Sequence, residues 1–180
     1  PPRSTPKPSS AASDVYKRQP AYHLLDRTAE REVIPAAQSF GLAVIPWGPL
    51  CGGLLSGKYN RDQQIEGARW QDGKDNANRR ATEETWDVLD HLQEMANNKG
   101  CSMSQLALAW NMAQPGVTAP IIGPRTFEQI EDNLGAVEVE MSAEDFSKID
   151  ELVPSKAYVV RYYDEANAID FKPHSHRSFA

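Results

Sequence analysis

The stretch Gly41-Leu42-Ala43-Val44-Ile45-Pro46-Trp47-Gly48-Pro49-Leu50, continuing as Cys51-Gly52-Gly53-Leu54-Leu55-Ser56-Gly57-Lys58-Tyr59, decides the fold. It opens as a short apolar run, the pattern of a strand buried on both faces of a parallel sheet. Pro46 and Pro49 have no N–H to give to a ladder, so regular pairing is expected to end there. Trp47 stands where the strand stops, and a glycine-rich loop closed by Lys58 follows. Strand end, aromatic ring, glycine loop and cation, in that order, offer a seat for a flat ring beside a phosphate.

Working outward, the residues just upstream read as a helix. Val33, Ile34, Ala36, Ala37 and Phe40 recur at helical spacing, Pro35 falls in the first turn, and Gly41 fits the position just past the end. Before it, Gln19 to Arg27 is short and partly apolar, the end of a strand running into a loop. Residues 1–18 are rich in Pro, Ser and basic side chains and have no apolar period. Such a tract buries too little surface to offset its ordering entropy and is expected to be disordered. The passage into ordered-looking sequence at Gln19 is abrupt, as in a non-native leader left by cloning or assembly.

Downstream, residues 60–80 are polar throughout and read as a long surface loop, a length more often functional than idle. Thr82 caps a helix with Trp86, Leu89, Leu92, Met95 and Ala96 on one face, closing at Gly100. Ser102 or Ser104 caps a second, carrying Leu106, Ala109, Trp110 and Ala113 up to Gln114-Pro115-Gly116. Val117 to Ile122 is a second buried strand, and Gly123-Pro124-Arg125 a tight turn. Thr126-Phe127-Glu128-Gln129 is a capping box opening another helix, and Ser142 opens one more. Strands alternating with helices indicate a parallel α/β sheet, doubly wound or barrel.

Composition narrows the function classes. A chain of 180 residues, 40% hydrophobic and 24% charged, can build a real core. A net charge of -6 argues against a general nucleic-acid or membrane-surface binder. The 2 cysteines, Cys51 and Cys101, lack CxxC spacing, which suits a reduced, cytoplasmic setting. No apolar run approaches the ~20 residues of a membrane span.

Motif by motif, the bland reading stands close to the functional one. Gly52 to Tyr59 approaches the P-loop pattern but puts Tyr59 where a small hydroxyl must reach Mg²⁺, and the polar residues after it are no apolar helix. The ATP-hydrolysing reading is therefore poor, and no dinucleotide fingerprint GxGxxG is present. A turn of backbone N–H groups with one lysine still suffices for a pyrophosphate, as it does for a plain surface turn. Trp47 is either core or a ring facing a ligand at the strand's carboxyl end. Arg125, Gln129 and Asn133 share one stripe beside a capped helix start, either a solvated face or a phosphate seat. His174 and His176 lack a third ligand, so no metal site is expected. Cys51, beside the loop, is more simply core than reactive thiol.

As a set, these residues resemble the C-terminal half of the aldo-keto reductase family. The resemblance rests on Gln19 to Arg27, Trp47-Gly48-Pro49-Leu50 with Gly53 to Tyr59, Gln105 to Trp110, Ile121 to Thr126 and Glu128 to Leu134. Trp47, where other branches carry Tyr, is similar to the branches holding general reductases and potassium-channel beta subunits. The resemblance implies a partial (β/α)8 TIM barrel: its C-terminal portion, about three parallel strands with their helices, over residues 19–180. It implies NADPH (NADP as cofactor), with Gln19 on the nicotinamide carboxamide and Trp47 stacked on the ring. Gly48, Leu50, Leu55, Gly57 and Lys58 would wrap the pyrophosphate. Gly123, Arg125 and Gln129 would surround the ribose 2′-phosphate, and Asp132 and Asn133 would approach the adenine. Gly48 replaces the family's usual Ser and leaves only backbone there.

The family's catalytic Tyr, Lys, Asp and His lie in its N-terminal half, so no catalytic residue is assigned here and this stretch alone is expected to be inactive. The parent activity would reduce a small-molecule carbonyl, an aldehyde or ketone, to an alcohol by hydride transfer. The alternative is a non-catalytic, cofactor-sensing regulatory subunit of the same fold. The loop 60–80 and the tail Phe171 to His176 are candidates to close over the site.

Overall fold

The computed structural model describes residues 17–59, 61 and 82–160. The expectations for the leader up to residue 16, for the loop 60–80 other than Arg61, and for the tail from 161 onward lie outside the described residues. In order, the elements are β1 (Lys17–Arg18), α1 (Val33–Ser39), β2 (Ala43–Val44), α2 (Glu83–Lys99), α3 (Met103–Met112), α4 (Phe127–Leu134) and α5 (Ala143–Leu152). Short 3-10 turns occupy Thr28–Glu30, Cys51–Ser56 and Gly135–Glu138.

The sheet is small and parallel. Lys17 pairs with Ala43 and Arg18 with Val44, so the last two residues expected in the leader are strand instead. Isolated parallel bridges extend the pattern: Ala21 with Trp47, Val44 with Val117, Trp47 with Ile121. Three chain segments therefore run parallel, with 43–47 in the middle. The regular ladder stops at Val44, before Pro46, yet the segment goes on pairing. Ile45 and Trp47 donate to the carbonyls of Arg18 and Pro20, while the missing N–H of Pro46 falls on the opposite side. There Thr118 donates to Val44 O, and the next donor to Pro46 O is Ile121 rather than residue 120. Pro120 has no N–H, so one extra residue is taken up on that segment, as in a bulge. Among the described residues the expected buried strand Val117 to Ile122 makes two bridges, and Ile121 remains 40% exposed.

Helix ends follow local chemistry. Thr82 Oγ1 accepts from Thr85 N at 3.2 Å, and Gly100, at φ +68°, ends α2. Ser102, not Ser104, caps α3 in a reciprocal box: its hydroxyl accepts from Gln105 N and Gln105 Oε1 accepts from Ser102 N. Ser142 and Asp145 repeat the box on α5. The box expected on α4 is only half made. Thr126 accepts from Gln129 N, but Gln129 Oε1 accepts from Arg125 N at 2.7 Å instead of from the cap residue. Arg125 thus precedes the helix, and only Gln129 and Asn133 share its stripe.

The core gathers Leu54, Leu55, Leu89, Leu92, Leu106 and Trp110 with Val44 and Ile149. Each fully buried leucine contributes about 1.5–3 kcal/mol by leaving water. Phe40, read as part of the apolar face of α1, is 77% exposed; Ile34 and Ala37 do the packing. On α4 and the turn after it, Phe127, Leu134 and Val137 are 57–68% exposed.

A buried polar staple joins the first loop to α5. Arg27, 4% exposed, donates to Glu30 Oε1 (2.7 Å), Asp150 Oδ1 (2.6 Å) and Val153 O (2.7 Å). Its guanidinium carbon lies 5.4 Å from the Trp110 ring centroid. Tyr22 Oη and Ser155 Oγ also donate to Glu30, at 2.7 and 2.5 Å. Burial opposes ionisation of Glu30, but the hydrogen bonds from Arg27, Ser155 and Tyr22 prevail and hold its carboxyl below the usual range. Among the described residues no helix is long and apolar enough to cross a membrane.

Candidate functional site

A cavity of about 660 Å³ opens where the chain leaves the middle and third parallel segments. That is the size of a small-molecule pocket, and the carboxyl ends of parallel strands are where such pockets form. One wall is Trp47, Gly48, Leu50, Gly53 and Lys58. The other is Gly123, Arg125 and Gln129, with Asp132 and Asn133 one helical turn further on.

The glycine wall is shaped by backbone that side chains would forbid. Gly53 sits at φ +103°, and a Cβ there would stand 3.4 Å from Lys58 Cε and 3.5 Å from Nζ. Ser56 Oγ donates to Gly53 O at 2.6 Å and ties the turn. Gly57, at φ +73°, backs onto α2: a Cβ would meet Gln93 Oε1 at 2.9 Å. Lys58 Nζ lies 4.9 Å from the Tyr59 ring centroid.

The opposite wall is the start of α4. Its first-turn N–H groups and Thr126 cap give a partial positive charge, to which exposed Arg125 adds a full one. Two carboxylates share the cavity. Glu128 is exposed, and hydrogen bonding to the Thr126 side chain and to backbone holds its pKa low. Asp132 is engaged from behind: its Oδ2 accepts from Ser102 Oγ at 3.1 Å and its carbonyl accepts from Gln105 Nε2 at 2.9 Å. Asn133 is 7% exposed. Among the described residues, neither Lys58 nor Arg125 forms an ion pair, so both cations keep donors for a ligand anion.

Of the residues singled out from sequence, Trp47, Gly48, Leu50, Lys58, Gly123, Arg125, Gln129, Asp132 and Asn133 line this one cavity. Three do not. Gln19 lines a separate hollow of about 380 Å³ with Arg18, Asp26 and Val33. Leu55 is fully buried in the core. Gly57 is exposed at the turn against Gln93. Sequence reasoning had not marked Ser104 and Glu128, which also line the cavity. In the sequence Glu128 stands within the capping box and the Glu128 to Leu134 motif, and Ser104 as an alternative cap; neither position pointed to a ligand. Among the described residues no group of three or more His, Cys, Asp or Glu is placed to hold a metal. Cys51 is 4% exposed within the core.

Comparison with known proteins adds the lineage. The model of the Aldo/keto reductase family matches residues 10–154. The chain is 39% identical over 140 residues to an uncharacterized oxidoreductase, YrpG, of Bacillus subtilis (strain 168), covering 78% of this chain and 41% of that protein. It is 34% identical over 143 residues to a probable voltage-gated potassium channel subunit beta of Oryza sativa subsp. japonica, covering 77% and 44%. It is 30% identical over 137 residues to versiconal hemiacetal acetate reductase of Aspergillus parasiticus, covering 76% and 40%. The chain thus spans less than half the length of these curated relatives.

Proposed function

Because the chain belongs to the Aldo/keto reductase family, we propose that it is the NADPH-binding half of an oxidoreductase that reduces aldehydes or ketones to alcohols. The observation that carries this reading is the single cavity shared by Trp47, Lys58 and the Arg125–Gln129 helix start. The residues fit an extended dinucleotide. The Trp47 indole lines the cavity, and a side-chain-free turn at Gly53 lets backbone approach a pyrophosphate. The Arg125 guanidinium at a helix start offers forked donors to a phosphate.

Held there by Trp47, Lys58 and Arg125, NADPH would supply hydride chemistry for reduction of a carbonyl. Trp47 would stack on the nicotinamide and keep water from one face of it. Lys58 and the glycine turn would neutralise the pyrophosphate, and Arg125 would read the ribose 2′-phosphate. Gln129 Oε1, spent on Arg125 N, leaves its amide N–H groups for the same phosphate. Asp132 and Asn133 would border the adenine. Leu55 would act only through its backbone, since its side chain is core. Gln19 would need contact from its own hollow to reach the nicotinamide carboxamide. By the family resemblance the proton donor would be a tyrosine, a role that none of the cavity residues fills.

A second reading, a cofactor-sensing regulatory subunit, draws on the beta-subunit relatives. The cavity serves both readings. Turnover of a test aldehyde by the intact protein favours the enzyme; NADPH binding without turnover favours the subunit. The cofactor assignment itself is tested by titrating NADPH and NADH into wild type and Arg125→Ala. Loss of a charged hydrogen-bonded pair, about 1.5–3 kcal/mol, should weaken NADPH roughly ten-fold or more and leave NADH nearly unchanged. Equal weakening of both would remove Arg125 from the 2′-phosphate.

A further inference from the structure

Lys58 is an exposed side chain between two contacts with α2. Gly57 abuts Gln93 of α2, and Arg61 makes ion pairs with Glu83, Asp87 and Asp90 on the same helix. What remains free is the lysine stem. Its end lies against Gly53, where no side chain intrudes, and its ammonium lies 4.9 Å from the Tyr59 ring centroid. Tyr59 is itself packed against the core, and its buried hydroxyl has no hydrogen-bond partner among the described residues. A buried hydroxyl without a partner is a cost, so the ring rather than the oxygen is the useful part of this side chain.

We infer that Tyr59 is a positioning residue: its ring face holds the Lys58 ammonium at the cavity wall, ready for the anionic middle of a dinucleotide. The inference rests on the cofactor reading above and extends it to a residue that touches no ligand. A ring face attracts an ammonium within about 6 Å of its centroid, and at a part-exposed site the effect on affinity is roughly two- to five-fold. It restricts the lysine to one region and so removes part of the ordering cost that binding would otherwise incur. Because a pyrophosphate is common to both nicotinamide cofactors, this effect should fall on NADPH and NADH alike.

The test is a double-mutant cycle in the intact protein, read as the dissociation constants of NADPH and NADH with thermal midpoints beside them. Tyr59→Leu should weaken both cofactors roughly two- to five-fold. Tyr59→Phe, which keeps the ring and drops the unpartnered hydroxyl, should bind as wild type with an unchanged or raised midpoint. In a Lys58→Met background, Tyr59→Leu should have no further effect on binding. If Tyr59→Leu weakens binding equally with and without the lysine, or if Tyr59→Phe loses as much as Tyr59→Leu, the positioning role is overturned while the cofactor site stands. If Lys58→Met leaves both affinities unchanged, the pyrophosphate role of Lys58 falls, and this inference with it. Tyr59→Phe keeps the test decisive should Tyr59→Leu fail to fold, because a weakened, well-folded Phe variant contradicts a role for the ring alone.

Discussion

Arg27 and Arg125 put the same guanidinium into two opposite settings. In the staple between the first loop and α5, Arg27 is 4% exposed and meets Glu30, Asp150, the Val153 carbonyl and the Trp110 ring. At the cavity wall, Arg125 is exposed and forms no ion pair among the described residues. A cation with four of its five N–H donors taken by its own protein holds elements together. A cation with its donors unspent, on a concave wall beside a helix start, is set up for an anion from outside. The difference gives one arginine to stability and leaves the other for the binding role proposed above, and each role can be broken separately.

The largest effect expected is on the staple. Arg27→Met leaves Glu30, its side chain 13% exposed, without its cation, and removing one partner of a largely buried pair costs up to about 3–5 kcal/mol. Denaturant midpoints should fall accordingly, while the NADPH affinity proposed above should be unchanged in the folded fraction. A stable Arg27→Met protein with weakened NADPH would reverse the two roles. Arg125→Ala should do the converse at a smaller scale, about 1.5–3 kcal/mol in NADPH binding with no change in unfolding. Tyr22→Phe removes one donor to Glu30 and should cost about 1–2 kcal/mol of stability, again without touching affinity.

The smallest effect at neutral pH is the most diagnostic in acid. Glu30 is held below its usual range in the folded chain, so between the folded and unfolded values the unfolded state binds more protons. Its contribution is present above about pH 4.3, the ordinary glutamate value, and is lost as pH falls through the depressed folded value. Unfolding followed at stepped pH should show wild type losing stability across that window. Arg27→Met should show a shallower loss. Equal slopes would mean that Glu30 does not depend on Arg27 for its charge.

Much of the fold was open to sequence reasoning because it is local. Caps at Thr82 and Ser142, the stop at Gly100 and the helix before Gly41 depend on neighbours within about four residues. The apolar run 117–122 looks like a buried strand, whereas Pro120 and pairing to one edge among the described residues leave two bridges and an exposed Ile121. Phe40 misled for the same reason: helical spacing shows a stripe but not what lies opposite it. The staple escaped altogether, since Arg27 and Asp150 stand far apart along the chain and no spacing rule links them. The cavity was legible as two pieces, the Trp47–Lys58 turn and the Arg125 helix start. Gln19 shows how far that goes: the same reasoning that chose it has no means of telling one hollow from another.

By itself the sequence determined the parallel α/β character, the helix limits and the family, because these rest on local hydrogen bonding, apolar period and a specific set of short motifs. Tertiary structure alone decided that residues 47–58 and 123–133 face one cavity, that Leu55 turns inward, and that Arg27 is consumed while Arg125 is not. The physical reason is distance along the chain. Local rules set which way each segment runs, but only packing of remote segments sets which side chains lose water and which keep donors for a partner.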